Sequence, residues 1–161
     1  MTFLPTKKEA GKKKSLGELG ELFAIKALMD NNFDKIKNLN DKKMNEPFAD
    51  LLCEKDGRRY IISVKARNRF QKNGTLNTRY NLGNNAYLKA ASAEKKYNAS
   101  AYWMAIQFAK KSFSIYFGSL IDLNGSRAIP VDKCEKGVVG IAMEKDKRHY
   151  FDFDFYTNQE I

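Results

Sequence analysis

The chain has 161 residues, 43% apolar and 30% charged, which excludes a disordered polypeptide and allows one sizeable core. With 29 Lys and Arg against 19 Asp and Glu the net charge is +10, which favours a polyanion such as nucleic acid, although a basic soluble protein without such a partner has the same totals. One histidine (His149) and two cysteines (Cys53, Cys134) exclude a zinc cluster and a disulfide framework, and no apolar run spans a membrane, so a reduced, cytoplasmic protein without signal peptide or membrane partner is expected.

Residues 1–14, with "KKEAGKKK", read as a solvated basic tail. Ser15 and Glu18 form a capping box, so a helix is expected from Ser15 to about Asp30. "FDKIKNL" reads as a first strand, about 33–39, and "NDKKMNEP" as a loop. Two strands follow at 48–54 and 59–66, joined through Asp56-Gly57, a strong hairpin signal. Residues 67–83 are polar, basic and rich in Asn and Gly, and read as a loop. A second helix is expected at 84–97, then strands in "SAYWMAIQF" and "SFSIYFGSL" with a turn at Lys110-Lys111. Short strands are expected at 137–143 and 149–156, the latter from alternating Phe151, Phe153 and Phe155, and His149 there reads as a packing residue. No repeat or linker is visible. The order predicts an α/β sandwich around a mixed sheet, with 15–161 as a single domain.

The hairpin carries the chemistry. If Asp56 and Gly57 are its two loop residues, Lys55 faces Arg58, Asp50 faces Ser63 and Phe48 faces Lys65. One face then holds Phe48, Asp50, Leu52, Ile61, Ser63 and Lys65. The other, a core face, holds Ala49, Leu51, Cys53, Tyr60, Ile62, Val64 and Ala66. A carboxylate and an ammonium meet at one end of a largely apolar surface, where charges are costly unless paired or functional. A plain ion pair at a sheet edge is the alternative. On the first helix Glu21 shares a stripe with Ala24, Ile25 and Leu28, so it borders an apolar face, whereas Glu18 reads as a cap.

This constellation resembles the PD-(D/E)XK nuclease superfamily over residues 15–108. "GELGELFAIKAL" is similar to that family's acidic first helix, with Glu21. "EPFADLL" supplies Asp50, and "ISVK" supplies Lys65. The resemblance implies a restriction-endonuclease-like core: a central mixed β-sheet flanked by helices, in the order α-β-β-β-α-β-β. It also implies a metal-dependent nuclease cutting DNA rather than RNA, with a homodimer left open. Ser63 stands where the family has its third acid. Some restriction-type members with Ser-Val-Lys take a carboxylate from the next helix, where Glu94 is the only acid here. Otherwise the site is thin, or the chain is a nuclease-fold module that grips nucleic acid without cutting.

The implied roles fit the residue types. Asp50 would be the main ligand of Mg²⁺ or Mn²⁺, Glu21 would assist directly or through water, and Ser63 would offer only a neutral oxygen. Lys65 would act on the attacking water or on developing charge. In the loop after Lys65, the residues Arg67, Arg69, Phe70, Lys72, Arg79 and Tyr80 interleave cations with aromatics, which suits phosphate contact and base stacking. Lys89, Lys95 and Lys96 would extend that surface; a merely solvated loop is the alternative.

Overall fold

The protein's computed structural model describes residues 7–40, 46–77, 80–109, 113–129, 131 and 157–158. The elements are α1 (Lys7–Asp30), β1 (Asp34–Asn38), β2 (Leu51–Lys55), β3 (Arg58–Asn68), α2 (Ala86–Tyr97), β4 (Ser100–Phe108), β5 (Phe113–Ser119), a 3₁₀ turn (Ile121–Leu123) and β6 (Thr157–Asn158). The sheet runs in chain order from β1 to β6. Only β3 and β4 pair in parallel; the other neighbours are antiparallel. The expected α/β order and mixed sheet are therefore present. No helix among the described residues is long and apolar enough to cross a membrane.

The hairpin closes as its sequence dictates. Asp56 and Gly57 both have positive φ, 51° and 77°, the backbone of a tight two-residue turn that Asp-Gly tolerates. Lys55 faces Arg58, and the register continues to Leu51 facing Ile62.

Each face of the sheet buries one helix. On one face Ala24, Ala27 and Leu28 of α1 pack with Leu51, Ile62 and Met104. Gly20 lets α1 lie close on β3 beside this contact, because a Cβ there would run into the Cβ of Ala66. On the other face Ala86, Ala90 and Ala93, at helical spacing along α2, pack with Ile61, Ala101 and Trp103. Small side chains on this helix leave room for Trp103, which is fully buried.

Some expectations need correction. The first helix begins at Lys7, not Ser15, so residues 7–14 are helical instead of a loose tail. Lys, Glu and Ala sustain a helix, and the capping-box pattern falls inside it with Ser15 and Glu18 exposed. The second strand begins at Leu51, not 48, so no strand pairing joins Asp50 to Ser63 or Phe48 to Lys65. With the pleat ended, strict alternation fails: Ala49 packs in the α2-side core beside Phe48, away from Leu51. The third strand runs on to Asn68, so Arg67 lies in a strand and not in the following loop. The expected turn at Lys110-Lys111, the strands at 137–143 and 149–156, and the residues Cys134 and His149 lie outside the described residues.

Candidate active site

The site forms where β2 stops short of β3. The Asp50 backbone N–H donates to the Ile62 carbonyl at 2.9 Å, and the Asp50 carbonyl accepts from Leu39 N–H at 2.8 Å. One step further along β3 no backbone acceptor is supplied by β2, and the Asp50 side chain takes that place. Its Oδ2 accepts from Val64 N–H at 2.7 Å. The carboxylate thus completes the ladder at the sheet's end, where among the described residues no further strand pairs with β3 on this side.

Two asparagines at the end of β1 connect Asp50 to α1. Asn40 Nδ2 donates to Asp50 Oδ1 at 2.5 Å. Asn40 backbone N–H donates to Asn38 Oδ1 at 2.8 Å, and Asn38 Nδ2 donates to Glu21 Oε2 at 3.1 Å. A continuous relay therefore runs from the Glu21 carboxylate to the Asp50 carboxylate. Sequence reasoning missed both asparagines. Their only signal is the spacing "NLN" at a strand end, which acquires meaning once β1 is paired against β2.

The electrostatics of Asp50 record the same grouping. Burial pushes its carboxyl above the ordinary aspartate range, and the negative charge of Glu21 pushes the same way. The Val64 N–H, the positive charge of Lys65 and the Asn40 amide oppose this shift. The charges of Glu21, on α1, and of Lys65, on β3, thus both bear on Asp50. Glu21 and Lys65 are each half-buried.

Ser63 is buried, at 2% exposure, in register with Trp103 of β4. Glu94 is not brought to the site. Its Oε2 accepts from Ala101 N–H at 3.1 Å at the start of β4. Lys65 pairs instead with Ala105, roughly 13 Å further along that strand. The first turn of α2, nearer the Lys65 end, contains no acid. Among the described residues no three His, Cys, Asp or Glu gather into a metal cluster. Glu21 and Asp50 could offer carboxylate oxygens, a chemistry that suits a hard divalent cation keeping much of its water. Cys53 is buried and its thiol is pushed up by burial, so it is inert packing and not a nucleophile.

The basic segment after Lys65 divides in two. Arg67, Arg69, Phe70 and Lys72 are exposed, with Arg69 over the Phe70 ring at 5.4 Å. Tyr80, expected to stack on bases, is instead a core residue with 0% exposure, and burial pushes its phenol up. It is drawn inward because residues 80–82 pair with 127–129, through Ile129 N–H to the Tyr80 carbonyl and Leu82 N–H to the Arg127 carbonyl. Arg79 lies outside the described residues. Lys95 is exposed, while Lys89 and Lys96 border a groove of about 450 Å³ over α2 that none of Glu21, Asp50 or Lys65 lines.

No protein-family model matches the chain, and no curated protein is found similar to it. Among solved structures, a Holliday junction resolvase from the archaeal hyperthermophile Archaeoglobus fulgidus matches at 15% identity and a TM-score of 0.48. The match covers 70% of this chain and 84% of the resolvase.

Proposed function

We propose that the chain is a divalent-cation-dependent nuclease of the PD-(D/E)XK type that hydrolyses phosphodiester bonds in DNA. The observation that carries this reading is the link from Glu21 to Asp50 through Asn38 and Asn40 at the end of the β2–β3 pairing, with the charge of Lys65 also acting on Asp50. Asp50 and Glu21 would hold Mg²⁺ or Mn²⁺, which supplies charge neutralisation at the phosphoryl oxygens and an activated water. Asn40 and Val64 N–H fix the direction in which Asp50 presents its oxygens. Lys65, whose positive charge acts on that carboxylate, would orient the water or balance charge as the bond breaks. Arg67, Arg69 and Lys72, exposed on the continuation of the same strand, would position the phosphate backbone.

A second reading keeps DNA binding and drops cleavage. Buried Ser63 at the third-acid position and the absence of an acid in the first turn of α2 favour it. A plasmid-nicking assay with Mn²⁺, repeated with EDTA, separates the two. EDTA-sensitive nicking is expected of the nuclease. Tight, salt-sensitive binding without nicking in any divalent ion establishes the binding module.

A further inference from the structure

The segment after β3 is more ordered than a surface loop needs to be. Phe70 and Leu76 form an antiparallel bridge. Gln71 N–H donates to the Thr75 carbonyl at 2.8 Å, and Gly74 N–H to the Gln71 carbonyl at 2.9 Å. Asn77 N–H returns to the Arg69 carbonyl at 2.7 Å, and Arg69 N–H is pinned to the Phe108 carbonyl at 2.7 Å. At the tip, Asn73 Oδ1 accepts from both the backbone N–H and the hydroxyl of Thr75, at 3.0 and 2.6 Å. The result is a small hairpin finger with its own bonded turn, standing on the strand that carries Lys65.

The finger holds two large apolar side chains in water. Phe70 is 54% exposed and Leu76 44% exposed, and neither belongs to either core. Arg69 lies over the Phe70 ring, and Lys72 is exposed in the same turn. Ordered backbone beneath exposed apolar groups costs little entropy on binding. Cations at its flanks select a polyanion, and an aromatic face beside them selects one whose bases are accessible. A fully stacked duplex offers phosphates but hides its base faces.

We infer that the finger is a base-stacking wedge, in which Phe70 and Leu76 together cover the exposed faces of unstacked bases at a gap, bulge or branch in DNA. This rests on the nucleic-acid reading above and specifies its substrate class. The strand geometry agrees. Phe70 follows Lys65 by five residues, at most about 16 Å and so within roughly five base-pair steps of duplex, and wedge and candidate site can engage one short stretch of DNA.

The test compares two oligonucleotide duplexes of equal length, one fully paired and one with a three-nucleotide gap, titrated in EDTA so that nothing is cut. Wild type is expected to bind the gapped duplex about tenfold more tightly, in line with the value of a base–aromatic stack. Phe70→Ala and Leu76→Ala should each lose most of that preference while the salt slope on paired duplex is unchanged, and Phe70→Trp should retain it. Equal binding of both duplexes by wild type, or a preference that survives both alanine variants, overturns the wedge. Wild type that binds neither duplex at low salt overturns the nucleic-acid reading itself. Both side chains are exposed, so the variants should fold, and far-ultraviolet circular dichroism verifies it.

Discussion

The two halves of β3 differ in what completes them. From Arg58 to Ile62 the strand is paired with β2 through a two-residue turn, and from Tyr60 it is also paired with β4 in parallel. From Ser63 onward β4 continues but β2 is gone, and an aspartate side chain stands in for the missing carbonyl. In the first half Tyr60, Ile61 and Ile62 are buried. The second carries Lys65 and then Arg67, and its open side is where Glu21, Asn38 and Asn40 gather. A carboxylate can be buried there because it serves as a ladder acceptor. Backbone bonding offsets part of the desolvation cost of a chemical group.

The largest expected effect comes from removing the groups at the open end. Asp50→Ala should abolish Mn²⁺ binding by calorimetry and nicking together. Lys65→Ala should lower nicking by about 10²–10⁴-fold, the usual range for loss of a proton-transfer group, with DNA affinity little changed. Nicking that survives in both variants would leave the contrast between the two halves purely structural.

Changes that crowd the closed surfaces should act on stability instead. Gly20→Ala forces a Cβ against Ala66 and should cost about 1–3 kcal/mol in denaturant unfolding. Ser63→Glu, at a sealed position, should cost a similar amount or more while leaving Mn²⁺ binding in place, since Asp50 and Glu21 are unchanged. A smaller effect is expected from Asn40→Ala, which deprives Asp50 of one donor. It should cost about 1–2 kcal/mol and weaken Mn²⁺ binding without changing the salt dependence of DNA binding.

The smallest effect sharpens the electrostatic side of the comparison. Burial raises the Asp50 carboxyl, so its ionised form is disfavoured in the folded chain. Wild-type stability therefore carries a penalty at neutral pH that is relieved as pH falls through the raised Asp50 value toward the ordinary one. Asp50→Asn has no such titration, and Asn40 can turn its amide to keep a bond. The variant should be modestly more stable than wild type near pH 7, with the difference shrinking as pH falls toward 4. Thermal melts across that range measure it. A difference that grows on acidification would mean that Asp50 is stabilised as the anion.

Local signals were legible in the sequence and distant pairings were not. Asp56-Gly57 fixed the register from Lys55 facing Arg58 to Leu51 facing Ile62, because a turn of known length leaves one pairing. The placement of Ser63 and Lys65 on one face of β3 followed by alternation. Asp50 was found as a candidate, but its bond to Val64 was not, because nothing in "EPFADLL" shows where the pleat ends. Tyr80 looked like a surface residue in a polar segment. Its burial depends on pairing with residues 127–129, far along the chain. Asn38 and Asn40 acquire their role only from the pairing of β1 with β2, which brings Leu39 to Asp50. The helix start at Lys7 is not legible, because a capping pattern inside a helix looks the same as one at its end.

The unequal neighbours of β3 also set an order of assembly. Its partner β2 is joined by two residues, whereas β4 arrives only after the finger and α2 have been placed. Hairpins close in roughly 1–10 μs, and long-range parallel pairing is slower because a large loop must be closed first. Glu21, Asp50 and Lys65 all precede that crossover in the chain. During the interval β3 presents an open edge of Ile and Val residues, a template on which a second chain can pair. Refolding yield should therefore fall as protein concentration rises, and the loss should be confined to the time before β4 is protected from hydrogen exchange.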